Sequence, residues 1–129
     1  MNSDYLVLIV EDNDKNLTLA RDVLQFHGFR TVEAMTATEG LRLAAEHLPD
    51  VVLMDIQLPD MDGETALAHL RNDPRTRNLR VVALTAFAMR EDRQRFLCGG
   101  FEGYISKPID IKRFAESVRG YCESPRVEA

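Results

Sequence analysis

Carboxylate, hydroxyl and ammonium groups stand at the points where four short apolar runs stop. Leu6-Val7-Leu8-Ile9-Val10 runs into Glu11-Asp12, and Val51-Val52-Leu53-Met54 runs into Asp55. Val81-Val82-Ala83-Leu84 runs into Thr85, and a shorter run at 103–106 leads into Lys107-Pro108. Three carboxylates gathered within a few ångströms repel one another, and each is driven to protonate. A divalent, oxygen-seeking cation removes that penalty. Mg²⁺ suits such a site because it takes one or two carboxylates together with waters and phosphate oxygens. A carboxylate held there can attack a phosphoryl group and form an aspartyl phosphate, with Asp55 as the nucleophile. The transfer depends on positioning and charge neutralisation. The cation would cover one phosphoryl oxygen, the Lys107 ammonium a second and the Thr85 hydroxyl a third.

Taken singly, each residue has a plainer explanation. An acidic residue after a strand is most often a helix cap or a solvated charge, and Glu11-Asp12-Asn13 alone reads as a helix start. Asp55 is harder to explain that way, because it follows four apolar residues and precedes Ile56. A carboxylate ending a buried strand is costly without a partner. The agreement of all four strand ends carries the reading.

Elements of two periods must position these residues. Five apolar or β-branched runs, at 5–10, 30–34, 51–54, 80–84 and 103–106, read as strands. Three are nearly continuous in apolar residues, as suits strands covered on both faces in a parallel sheet. Helical spacing fills the gaps. Leu17, Ala20 and Leu24 recur before His27-Gly28, where Gly28 is a helix stop. Thr36 and Glu39 form a capping box ahead of Leu41, Ala44, Ala45 and Leu48. Ala66, Leu67 and Leu70 mark a third helix ending near Asn72-Asp73-Pro74. A charged fourth helix is expected from about 89 to 98, and a last one after the N-cap Asp110, carrying Ile111, Phe114, Val118 and Cys122. Strands alternating with helices imply an α/β fold with a parallel sheet. The expected architecture is a doubly wound (βα)5 three-layer sandwich around a five-stranded parallel sheet, whose functional groups collect beyond the carboxyl ends of the strands.

Composition narrows the function further. The chain has 129 residues and 45% apolar content, which fits one domain with one core. We expect a single domain over 1–129, its core at about 5–122 and residues 123–129 a frayed tail. A net charge of −5 argues against a nucleic-acid or anionic-membrane surface, which needs clustered Lys and Arg. No apolar run approaches the ~20 residues that span a bilayer. Cys98 and Cys122 form no metal-ligand pair and read as reduced thiols, and the protein is expected to be soluble and cytoplasmic. His27, His47 and His69 lie near helix ends and read as capping or surface residues.

The combined motifs resemble the receiver domains of two-component response regulators. They are Leu8-Ile9-Val10-Glu11-Asp12-Asn13, Leu53-Met54-Asp55-Ile56-Gln57-Leu58-Pro59, Ala83-Leu84-Thr85-Ala86 and Tyr104-Ile105-Ser106-Lys107-Pro108. The similarity spans about 5–121 and looks closest to DivK-like single-domain regulators and to receivers of hybrid kinases. The sheet order 2-1-3-4-5 is that of the chemotaxis protein CheY, a standard example of this fold, and is taken from it. The resemblance implies that Asp55 is the phosphoacceptor. It also implies Mg²⁺ bound directly by Asp12 and Asp55, through water by Glu11 and by the backbone carbonyl of Gln57. Thr85 and Lys107 would contact the phosphoryl group. Tyr104 and Phe87 would move with Thr85 as switch residues, and the Lys107–Pro108 bond would be cis. A sensor histidine kinase or histidine phosphotransfer protein would supply the phosphoryl group. Output would be protein–protein contact with a downstream target, through the face of the fourth helix, fifth strand and last helix.

Two departures from the common pattern stand out. The acidic pair is Glu-Asp rather than Asp-Asp, and Phe87 is large and apolar where a polar residue is frequent. Gln57 and Phe87 flank the approach of attacking water and are expected to set the lifetime of the aspartyl phosphate. Gln57 also replaces the second acid that an aspartate-nucleophile phosphatase requires two positions on. The chain is therefore expected to be a phosphoacceptor with self-catalysed transfer and hydrolysis, not a multiple-turnover enzyme. A flavodoxin-type cofactor binder is disfavoured as well, since Glu11-Asp12-Asn13-Asp14 would repel a phosphate.

Overall fold

A computed structural model describes residues 5–86 and 99–123. In chain order the elements are β1 (Leu6–Val10), α1 (Asp14–Phe26), β2 (Arg30–Ala34), α2 (Ala37–His47), β3 (Val51–Asp55), α3 (Gly63–Asn72), β4 (Val81–Thr85), β5 (Gly103–Ser106) and α4 (Ile111–Glu123). The strands form one sheet in the order β2-β1-β3-β4-β5, with every pairing parallel. This is the expected doubly wound, flavodoxin-like arrangement. The charged helix expected at 89–98, with Phe87 and Cys98, lies outside the described residues.

Alternation along the strands builds the two halves of the core. Leu8, Val10, Val52, Met54, Val81 and Ala83 point to one face, where they pack with Ala37, Leu43 and Ala44 of α2 and Ala66, Leu67 and Leu70 of α3. Val7, Ile9, Val51, Leu53, Val82 and Leu84 point to the other, against Leu17, Ala20, Val23 and Leu24 of α1 and Phe114, Ala115, Val118 and Cys122 of α4. Both faces of β1, β3 and β4 are thus covered, which is why their sequences are unbroken apolar runs. The edge strand β2 reads differently: only Ala34 is buried.

Helix ends follow local chemistry. Asn13 caps α1 by accepting from the Asn16 amide at 3.0 Å, and Asp62 caps α3 through the Thr65 amide at 2.7 Å. After α1, Gly28 takes the left-handed conformation (φ 92°), as its glycine identity implies. At α2, Thr36 accepts from the Glu39 amide at 3.1 Å. The Glu39 side chain, however, reaches back to the Met35 amide at 3.4 Å, so the expected capping box closes one residue early. Burial in α4 pushes the Cys122 thiol up to about 12, which leaves it an unreactive core group.

Four strand boundaries differ from expectation by one residue: β1 begins at Leu6 and β4 at Val81, each one residue later than expected, and two carboxyl ends differ as well. β3 and β4 each run one residue further, so Asp55 and Thr85 are the last residues of their strands instead of the first beyond them. The cause is backbone pairing that ignores side-chain polarity. Asp55 pairs with Leu84, and Thr85 with Ser106. The Ile56 amide still donates to Leu84 O at 3.2 Å.

Candidate functional site

Because β1, β3 and β4 are adjacent and parallel, their carboxyl ends fall side by side on one rim of the sheet. There an open cleft of about 320 Å³ is lined by Glu11, Asp12, Asn13, Asn16, Asp55, Ile56, Gln57, Thr85, Ala86 and Lys107. A larger groove of about 670 Å³ lies between α2 and α3. Its charged side chains are paired among themselves, Arg42 with Glu46 at 3.0 Å and Arg75 with Asp73 at 2.9 Å. The sequence-predicted residues Glu11, Asp12, Asp55, Thr85 and Lys107 line the smaller cleft and none of them lines this groove.

The burial of this site is uneven. Glu11 is 2% exposed, Asp55 4% and Thr85 1%, whereas Asp12 is exposed. Ligand oxygens of Glu11, Asp12 and Asp55 lie within 4.8 Å of one another, a cluster of three carboxylates among the described residues. Lys107 reaches between two of them. Its Nζ donates to Glu11 Oε1 and to Asp55 Oδ2, both at 2.9 Å. The remaining Asp55 oxygen, Oδ1, accepts from the Gln57 amide at 3.0 Å, and Glu11 Oε2 accepts from the Asn13 amide at 3.1 Å. Each buried carboxylate therefore has one ammonium and one backbone donor.

These contacts do not balance the charge. Burial, then the neighbouring Asp55 carboxylate, drives the Glu11 carboxyl well above the usual carboxylate range, against the opposing pull of Lys107 and the Asn13 amide. Burial alone would lower Lys107, but its hydrogen bonds to Glu11 and Asp55 outweigh that and raise it. One ammonium thus pairs with two of the three clustered carboxylates, Glu11 and Asp55, and not with Asp12. The donor set is all oxygen, half-open and over-negative, which fits a hard divalent cation and not a soft one.

Backbone geometry holds the cleft in shape. The Glu11 amide donates to Ala34 O at 3.0 Å, and the Lys107 amide to Thr85 O at 2.8 Å. The Lys107–Pro108 bond is cis. Behind Asp55, the start of α3 presses directly on the strand. A Cβ at Gly63 would stand 2.7 Å from Asp55 O and 3.0 Å from Ile56 Cα, backbone atoms that cannot yield, so only glycine fits there.

Glu11, Asp12, Asp55, Gln57, Thr85 and Lys107 all meet in this cleft. Tyr104 is half-buried on β5 and packs against the α2–α3 half of the core, two residues before Ser106, the partner of Thr85. Pro108 is exposed, and Phe87 falls outside the described residues. Sequence reasoning overlooked Asn13 and Asn16 as lining residues. Their signal was present, since the N-cap and first turn of α1 follow Asp12 directly, but the same residues also make an ordinary helix start.

Comparison with known proteins agrees with this geometry. The profile of the response regulator receiver domain matches residues 7–119. The polar-differentiation response regulator DivK of Brucella ovis is 46% identical over 115 residues, covering 89% of this chain and 94% of that protein. The receiver domain of a Pseudomonas aeruginosa sensor histidine kinase, solved with a magnesium ion coordinated in the active site cleft, superposes with a TM-score of 0.85 at 30% identity, over 95% of this chain and 100% of that one. A Francisella response regulator receiver domain gives 0.85 at 26% identity, over 93% and 98%. The chemotaxis response regulator CheY4 of Vibrio cholerae, at 22% identity and a TM-score of 0.86 over 92% and 99%, shares the fold.

Proposed function

The chain belongs to the response regulator receiver domain family, and from that membership we propose that Asp55 accepts a phosphoryl group in a phosphorelay. The observation that carries this reading is the double grip on the buried Asp55 carboxylate. Lys107 holds Oδ2 and the Gln57 amide holds Oδ1, beside two further carboxylates. A carboxylate oriented on both sides and facing an open cleft is prepared for in-line attack.

The transfer is a displacement at phosphorus. An Asp55 oxygen forms a new P–O bond as the bond from phosphorus to the donor's nitrogen or oxygen breaks, and the departing electron pair stays with that donor atom. Lys107 lies within reach of the oxygens that gain charge. Thr85 closes the cleft from β4 and offers a hydroxyl to the bound phosphoryl. Glu11, Asp12, Asp55 and the Gln57 carbonyl would hold Mg²⁺. Bound there, it would neutralise the carboxylates and draw charge from the phosphoryl oxygens. Hydrolysis of the acyl phosphate returns Asp55 to its starting state, and Gln57, with no acidic proton to give, keeps that step slow.

We further read residues 1–129 as a single receiver domain with its core at about 5–122, acting in the cytoplasm with a histidine kinase or histidine phosphotransfer protein as donor. DivK matches over nearly its whole length, which supports that reading. Among the described residues no helix is long and apolar enough to cross a membrane. Output is protein–protein contact with a downstream target, set by Thr85, Phe87, Tyr104 and Pro108.

The test is intact-mass analysis after incubation with Mg²⁺ and acetyl phosphate. We expect the gain of one phosphoryl group, abolished in Asp55→Asn and by chelation of the metal. No gain with acetyl phosphate or phosphoramidate would sink the reading and leave a receiver-like scaffold.

A further inference from the structure

The loop between β3 and α3 begins at the site, because its Gln57 amide is the donor to Asp55 Oδ1. Its far end is secured locally. Gln57 and Asp62 form an isolated antiparallel bridge, Asp62 caps α3, and the Gly63 amide donates to Ile56 O at 2.8 Å. Asp60 is different, since its carboxylate leaves the loop altogether. Oδ1 accepts from the Ala37 amide at 2.8 Å, and Oδ2 accepts from the Thr38 amide at 2.8 Å and the Thr38 hydroxyl at 2.6 Å.

These bonds are more than helix capping. α2 already has its own cap in Thr36, which serves the Glu39 amide. Asp60 takes the two amides ahead of that one, from a position 22 and 23 residues later in the chain. Both oxygens are used, so the side chain can neither rotate nor translate without breaking bonds to α2. The loop is thereby fixed at a third point, between its two locally held ends. The Thr38 hydroxyl and the two amides also hold the exposed Asp60 carboxyl down at about 2, so it is ionised whenever the protein is folded near neutral pH.

We propose that Asp60 is a positioning residue for Asp55: by gripping the N-terminus of α2 it holds the β3–α3 loop where the Gln57 amide stays on Asp55 Oδ1. With that amide in place the carboxylate is fixed at both oxygens. Without it, Lys107 still holds Oδ2, but the group can turn more freely about its Cβ–Cγ bond away from the productive orientation. The inference rests on the reading of Asp55 as phosphoacceptor.

Asp60→Ala tests it, with Thr36→Ala as the control. Both remove a cap from α2 and lower its stability, but only the first cuts the helix from the loop. Amide hydrogen exchange in the metal-free chain is the first measurement. Exchange at Gln57 should accelerate in Asp60→Ala and stay at the wild-type rate in Thr36→Ala. The second is the rate of Asp55 phosphorylation by acetyl phosphate at fixed Mg²⁺. It should fall about ten-fold in Asp60→Ala, hold in Thr36→Ala, and lie between in Asp60→Asn, which keeps one acceptor oxygen. Wild-type exchange and rate in both Asp60 variants, or an equal loss in Thr36→Ala, overturns the proposal. Wild-type protein that takes no phosphoryl group overturns the functional reading instead, while the exchange measurement still judges the clamp.

Discussion

Asp55, Glu11 and Lys107 are stable together only as a group. Two buried carboxylates share one ammonium that is 18% exposed, and any uncompensated member faces a desolvation penalty. That shortage of positive charge makes the cleft receptive to a cation, and it follows from residue types alone. Gln57 is exposed and lines the cleft, and on the proposed function its side chain would stand beside the approach of water to an aspartyl phosphate. Replacing Gln57 and Phe87 together by Ser should change the rate of loss of the phosphoryl group, followed by mass against time after the donor is removed. An unchanged rate would show that neither side chain controls that water. That Asp12, Asp55, Thr85 and Lys107 line one cleft was legible in sequence because each stands at or just past the end of a strand run. The bond from Lys107 to Glu11 was not, because it depends on the length of a Glu side chain and on two strand ends brought together only in the fold. The Asp60 bonds were hidden for the same reason, since nothing in Leu58-Pro59-Asp60 points to α2.

Among the elements, α2 and the β3–α3 loop form a coupled pair whose link is acid-sensitive. The Asp60 carboxyl stands at about 2 in the folded chain, against about 3.9 in an unfolded one. A depressed folded value means that the unfolded chain binds the proton more tightly. The stability contributed by Asp60 is therefore complete above about pH 4 and disappears as pH falls toward about 2. Urea midpoints of the wild type and Asp60→Asn should differ at pH 6 and converge between pH 4 and 2. A constant gap would mean that the carboxylate charge plays no part in the grip. Element boundaries were the weakest part of the sequence reading, and β3 and β4 explain why. Apolar character stops at Met54 and Leu84, but the hydrogen-bond ladder continues for one more residue on each strand. The helix stop at Gly28 and the caps Thr36 and Asp110 were legible because they are local chemistry. Asp110 accepts from the Lys112 amide at 3.0 Å.

For the whole molecule, the sheet order decides where the site can be. Only the family motifs pointed to that order, since alternating strands and helices by themselves allow several. Once β1 lies between β2 and β3, and β3 beside β4, the acidic ends of β1 and β3 become neighbours. A cation bound by those ends in the native chain alone stabilises the whole fold by mass action. At Mg²⁺ ten times its dissociation constant the gain should be about 1.4 kcal/mol, read as a rise in the urea midpoint at constant m-value. The gain should shrink in Asp55→Asn, and Ca²⁺ or Mn²⁺ would serve as comparison ions. No rise with any of them would argue against a cation in the cleft. The same geometry has a bearing on quality control. Lys107 and Glu11 are 96 positions apart, and Lys107 and Asp55 are 52 apart, so a nascent or denatured chain contains every reactive residue and no reaction centre. On the proposed phosphoacceptor role, phosphoryl uptake would require the native fold, and labelling should be lost when the chain is denatured.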